Sequence, residues 1–116
     1  MSDLNNDFRT LETEVGKHLG EQGKELLVVE YPSKPGRAYM FKASKGFAWV
    51  HLKTRLDCLR VGAKKDRVIK AGISYDFEKP NGAFNRPSAH WDIYEGDNPK
   101  LMQVAGYLAQ LAHFDC

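Results

Sequence analysis

The side chains that could do chemistry here are four histidines (His18, His51, His90, His113), two cysteines (Cys58, Cys116) and a crowd of lysines and arginines in the middle of the chain. Their spacing speaks against a structural metal. There is no C-x-x-C and no H-x-x-x-H, and the remaining pair, His113 and Cys116, stands at the chain end. Acid–base chemistry has a better footing. If their strands are neighbours, His51, Lys53 and Arg55 could meet the run His90-Trp91-Asp92. Histidines beside cations are the groups a metal-independent ribonuclease uses to move protons and stabilise a phosphate. His51 and His90 would be its acid and base. A metal-dependent nuclease needs a D…(D/E)-x-K pattern. Glu30 and Asp57 are the only acids near the middle strands, and no lysine follows either at that spacing. Walker loops, G-x-G-x-x-G and G-x-S-x-G are absent, so no cofactor is implied.

Charge is the more informative signal. The net charge is only +2, yet residues 31 to 70 hold eleven Lys/Arg against Asp57 and Asp66, while the segments on either side are net acidic. Positive charge is therefore concentrated, as in a surface that meets polyanions. Lys64, Lys65, Arg67 and Lys70 cluster around one expected loop and the start of the next strand. Lys42, Lys45, Lys53 and Arg55 lie along or between the preceding strands. In GFAWVHLK (residues 46–53), Phe47, Trp49, His51 and Lys53 share one face of a strand, and Ala48, Val50 and Leu52 share the other. If the small aliphatic set takes the core, aromatics interleaved with cations are left to stack bases and hold phosphates. If Phe47 and Trp49 take the core, only the charge argument remains. Trp91 is a further candidate for stacking.

These residues need a scaffold. Leu4, Phe8, Leu11, Val15 and Leu19 recur at helical spacing and predict a helix over about residues 3–20, capped by Ser2 or Asp3 and ended by glycines. Strands are expected at 25–31, 37–43, 46–53, 55–62, 68–78 and 90–96, with a tight turn near Lys53 to Arg55 and a charged loop at 63–67. The span 68–78 earns its strand reading from the alternation of Ile69, Ala71, Ile73, Tyr75 and Phe77. The longest loop is expected at 79–89. Asn98-Pro99 opens a second amphipathic helix carrying Leu101, Val104, Ala105, Leu108, Leu111 and Ala112. Consecutive strands with short links, flanked by helices, predict one α+β domain spanning 1–116: an antiparallel meander of five or six strands covered by an N-terminal and a C-terminal helix.

With these elements in order, AYMFKASKGFAWVHLKTRLDCLRVG, then AHWDIYEGD and a closing helix, resembles a family of small prokaryotic domains. That family was once labelled "predicted transport protein" and is often found at the C-terminus of restriction-type and nuclease-like proteins. The matching positions are Tyr39 to Lys42, Phe47 to Val50, Leu56 to Val61, and His90-Trp91. Departures from the family pattern fall at Gly46 and at Asp92-Ile93. The resemblance implies an accessory domain near DNA or RNA metabolism and supplies no catalytic residues. A chain of this size beginning at Met1 is also expected from a phage or a defence locus. The start MSDLNNDF has no secretory pattern and the cysteines are few, which together predict a reducing cytoplasm. No apolar run is long enough to cross a membrane. The expectation is a non-catalytic module binding DNA or RNA. Its rivals are a module for an acidic protein surface and the His51/His90 ribonuclease. Self-association is left open.

Overall fold

Leu4, Phe8, Leu11, Val15 and Leu19 turn to one side of helix α1 (Leu4–Glu21), and all five are buried. The computed structural model describes residues 4–80 and 86–114. The expected cap at Ser2 or Asp3, the centre of the 79–89 loop, and Cys116 lie outside the described residues. α1 ends where Gly23 adopts φ +74°. Lys24 N–H donates back to the Leu19 carbonyl and Gly23 N–H to that of Gly20, the paired closure that a left-handed glycine allows.

Six strands follow: β1 (Leu27–Glu30), β2 (Ala38–Lys42), β3 (Gly46–Lys53), β4 (Cys58–Lys64), β5 (Phe77–Lys79) and β6 (Ser88–Tyr94). They form one antiparallel sheet in the order β1-β2-β3-β4-β6-β5, so β5 lies outside β6 at the edge. A short helix, α2 (Lys65–Lys70), follows β4, and α3 (Asn98–Phe114) closes the fold. The α+β architecture is the one the residue pattern predicts.

The span 68–78 is not the strand that its alternation suggests. Val68 is buried within α2, Ile69 is exposed, and the helix stops at Gly72, whose φ is +71°. Ile73 N–H then donates to Val68 O and Gly72 N–H to Ile69 O, with Val68 and Ile73 both inside. Only Phe77–Lys79 pairs as a strand. The expected charged loop 63–67 is the end of β4 running directly into α2. At the last helix the capping side chain is Asp97, one residue ahead of the expected Asn98; its carboxylate accepts from Lys100 N–H at 3.2 Å.

One face of the sheet packs under the helices. Ala48, Val50 and Leu52 of β3, Leu59, Val61 and Ala63 of β4, and Ala89, Trp91 and Ile93 of β6 join the stripes of α1 and α3 in a single core. α1 and α3 also lie against each other, with Gln22 and Lys24 donating to the carbonyls of Ala109 and Ala112. Alternation sends the other residues of each strand to the opposite face, on which no described helix packs.

Leu11 has no exposed surface and Leu27 is 49% exposed. Leu11→Ala is therefore expected to cost about 2–5 kcal/mol and Leu27→Ala less than about 0.5 kcal/mol, read as shifts in urea midpoint at unchanged slope.

Candidate anion-binding site

At the end of the open face where β3 finishes, two turns meet and form a cleft of about 470 Å³. Its walls are Lys34, Arg37, His51, Leu52, Lys53, Thr54, Arg55 and Leu56, and none of these is acidic. The first turn, between β1 and β2, is held from within. Gly36 adopts φ +72°, and its N–H donates to the Glu30 carboxylate at 2.8 Å. Arg37 N–H donates to Lys34 O, and Arg37 O in turn accepts from Leu52 N–H at 2.8 Å, which ties this turn to β3. The second turn closes through Leu56 N–H on Lys53 O. Asp57 sits at φ 52°, a left-handed position that aspartate tolerates better than most side chains. The backbone thus delivers two lysines, two arginines and an imidazole to one concavity. None of the four cations forms an ion pair with a described residue.

The centre of the face is packed by its own side chains. Trp49 is paired with Gly62 across β3 and β4, and the indole lies on that glycine. A Cβ at Gly62 would stand only 2.3 Å from Trp49 Nε1. Beyond Gly62 comes His90, with its ring edge-on to Trp49 at 6.2 Å and stacked on Phe77 at 5.1 Å. Arg60 lies over the Phe77 ring and makes a forked pair with Asp92, at 2.9 and 3.0 Å. His90 Nε2 is 2.7 Å from Ser88 Oγ, while its buried Nδ1 has no hydrogen-bond partner among the described residues.

Burial and cationic neighbours make both imidazoles hard to protonate. His51 is lowered to about 4, by burial first and then by Lys34, Lys53, His90 and Lys79. His90 is likewise lowered to about 4 by burial, Lys79 and Arg60, against an opposing pull from Asp92. Burial also lowers Lys53, helped by Arg60, Lys34 and Lys79. A site in which one cation makes its neighbours less basic has positive potential that an anion would relieve.

The structure sorts the candidate residues into groups. His51, Lys53 and Arg55 come together in the cleft with Lys34 and Arg37; Arg37, expected to open the 37–43 strand, stands in the turn just before β2. Lys64 and Arg67 line a smaller pocket of about 180 Å³ at the opposite end of β3, beside Met40, Gly46 and Trp49. Lys42 and Lys45 belong to the β2–β3 connection at that same end. Lys65 is paired with Glu78, and Lys70 is exposed in the last turn of α2.

The aromatic candidates need correcting. Trp91 is 1% exposed on the helix side of β6, and its Nε1–H donates to Ser74 O, so it cannot stack on a surface ligand. Phe47 is not on the face of Trp49. The β2–β3 register jumps from Phe41↔Ala48 to Lys42↔Gly46, which leaves Phe47 as the extra residue of a bulge, turned into the core against Phe41. Trp49 is on the open face but only 9% exposed, so its ring offers no free platform. The aromatic side chain most available there is Tyr94, at 55% exposure, followed by the partly buried Phe77. Period-2 spacing along β6 from His90 to Tyr94 is the signal that points to Tyr94.

Among the described residues, no three His, Cys, Asp or Glu side chains gather to hold a metal, and no helix is long and apolar enough to cross a membrane. No family model, curated protein or solved structure matches this chain. The resemblance to the restriction-associated domains therefore rests on the short motifs alone.

Two outcomes follow from this geometry. Below an unfolded histidine pKa of about 6.5 the unfolded chain takes up protons that folded His51 and His90 refuse until about 4. Stability should therefore be full above about pH 6.5 and fall as the pH drops toward 4, and His90→Gln should flatten that fall in urea midpoints taken across the range. Gly62→Ala should displace the Trp49 ring, lowering stability by about 1–3 kcal/mol and red-shifting tryptophan emission while Trp91 stays buried.

Proposed function

We propose that this protein is a non-catalytic nucleic-acid-binding module whose ligand lies along the open face of β3 and β4. The observation that carries this reading is the cleft lined by Lys34, Arg37, Lys53 and Arg55 without an acid among its walls. The spread of charge supports it. A second basic group, with Lys64 and Arg67, stands at the other end of the eight-residue β3. At about 3.4 Å per residue the two ends are roughly 24 Å apart, enough for several consecutive phosphates. Between them lie Arg60 and the two imidazoles. The motif resemblance points the same way, toward DNA or RNA metabolism, and the sparse cysteines suit the cytoplasm.

Chemistry at His51 and His90 is the weaker reading. General acid–base catalysis needs one partner protonated at the working pH. Burial and cationic neighbours lower both rings to about 4, and His90, 5% exposed between Trp49 and Phe77, cannot reach a substrate on the face to serve as that partner.

The test is a salt titration of binding to labelled single-stranded and double-stranded oligonucleotides by fluorescence anisotropy, with the products run on a gel. Affinity should fall steeply with salt, and the oligonucleotide should remain intact. Replacing Arg37 or Arg55 with alanine should make the log–log slope shallower by about 0.7–0.9 for each phosphate that the variant no longer neutralises. Absence of binding at low salt would sink the nucleic-acid reading and turn the same cations toward an acidic protein surface. Cleavage that disappears in His51→Ala would revive the ribonuclease.

A further inference from the structure

The cationic cleft differs in kind from the rest of the open face. Elsewhere the positive charge lines a smaller pocket, where Lys64 stands with Arg67, or is paired with an acid: Arg60 is forked to Asp92, and Lys65 is held by Glu78. In the cleft, four cations converge on about 470 Å³ with no opposing carboxylate. Of the acids nearby, Glu30 is occupied with the Gly36 N–H, and Asp57 closes the second turn without being one of the cleft's walls. The cleft also lies at the end of the sheet, between the 31–37 and 53–57 turns, where a strand running along β3 arrives. Resting on the nucleic-acid reading, the geometry points to this cleft as a receptor for the terminal phosphate of a nucleic-acid strand, a phosphomonoester at its 5′ or 3′ end.

Charge and hydrogen-bond count favour an end over a backbone phosphate. A phosphodiester carries one negative charge and two free oxygens. A terminal monoester carries about −1.5 to −2 at neutral pH and presents three acceptor oxygens. Each of the four cations is attracted more strongly by nearly two charges than by one. The guanidinium forks of Arg37 and Arg55 approach from different turns and can each grip a pair of oxygens. Thr54 adds a hydroxyl, and the half-exposed Leu56 gives the terminal sugar or base an apolar surface. The basic pocket at the other end of β3 is smaller, about 180 Å³ against about 470 Å³, and two cations line it instead of four.

The experiment compares one labelled single-stranded oligonucleotide in three forms: 5′-phosphorylated, 3′-phosphorylated, and hydroxyl at both ends. Each is titrated with the intact chain at fixed salt. One phosphorylated form should bind about tenfold tighter than the hydroxyl form, and which one does so reports the end that is read. Arg37→Ala and Arg55→Gln should shrink that ratio toward one. Lys64→Ala at the far end should weaken all three forms alike and leave the ratio in place, and circular dichroism confirms that each variant is folded. Equal affinity for the three forms, or a ratio that survives both arginine substitutions, overturns the inference while leaving salt-dependent binding standing. If none of the three binds, the nucleic-acid reading itself falls.

Discussion

The direction in which β3 faces decides which side chains the open face of this molecule carries. Ala48, Val50 and Leu52 are the residues that the stripes of α1 and α3 can cover, and their burial forces Trp49, His51 and Lys53 to the opposite side. A slip of one residue would bring an imidazole and an ammonium under the helices and expose three aliphatic side chains, so the register is held by the full weight of the core. The Trp49–Gly62 pairing keys the same register from the open side, because only a residue without a side chain lets the indole lie flat on β4. The bulge at Phe47 then releases one aromatic residue to the core without disturbing the rest. Apolar packing on one side of a strand therefore places the charge on the other.

That division also explains the electrostatics. Side chains on the open face are packed closely enough to exclude much of the solvent, yet most of their ionisable neighbours are basic. Arg60 is reconciled by Asp92, and the two histidines adapt by remaining neutral. Lys34, Arg37, Lys53 and Arg55 form no ion pair with a described residue and stand together at one end of the sheet. The modest net charge of +2 conceals this, since the acids that offset it stand mainly in the helices and the later segments.

Much of this is legible in the residues. Both long helices follow from their apolar spacing, and period-2 alternation from Ala48 to Lys53 groups His51 with Lys53 and leads on to Arg55. The departures have specific causes. In 68–78 the alternation of Ile69, Ala71, Ile73, Tyr75 and Phe77 imitates a strand, but Gly72 at positive φ is the stronger instruction and closes a helix that buries Val68 instead. Trp91 looks like an open-face residue only while its period-2 neighbours are ignored, for Ala89 and Ile93 mark the core face. Lys34 and Arg37 reach the cleft because a proline- and glycine-rich turn folds back onto β3, and no local pattern encodes that contact. Phe47 departs from its expected face because a bulge breaks the alternation that strand logic assumes.

The partnership of α1 with α3 has a consequence for how the chain comes into being. α1 completes its burial only against α3, and the carbonyls that receive Gln22 and Lys24 belong to Ala109 and Ala112. A chain still emerging from the ribosome can pair its early strands but cannot close the core around them. Docking α3 on α1 joins residues 87 positions apart and carries the closure entropy of a loop that long.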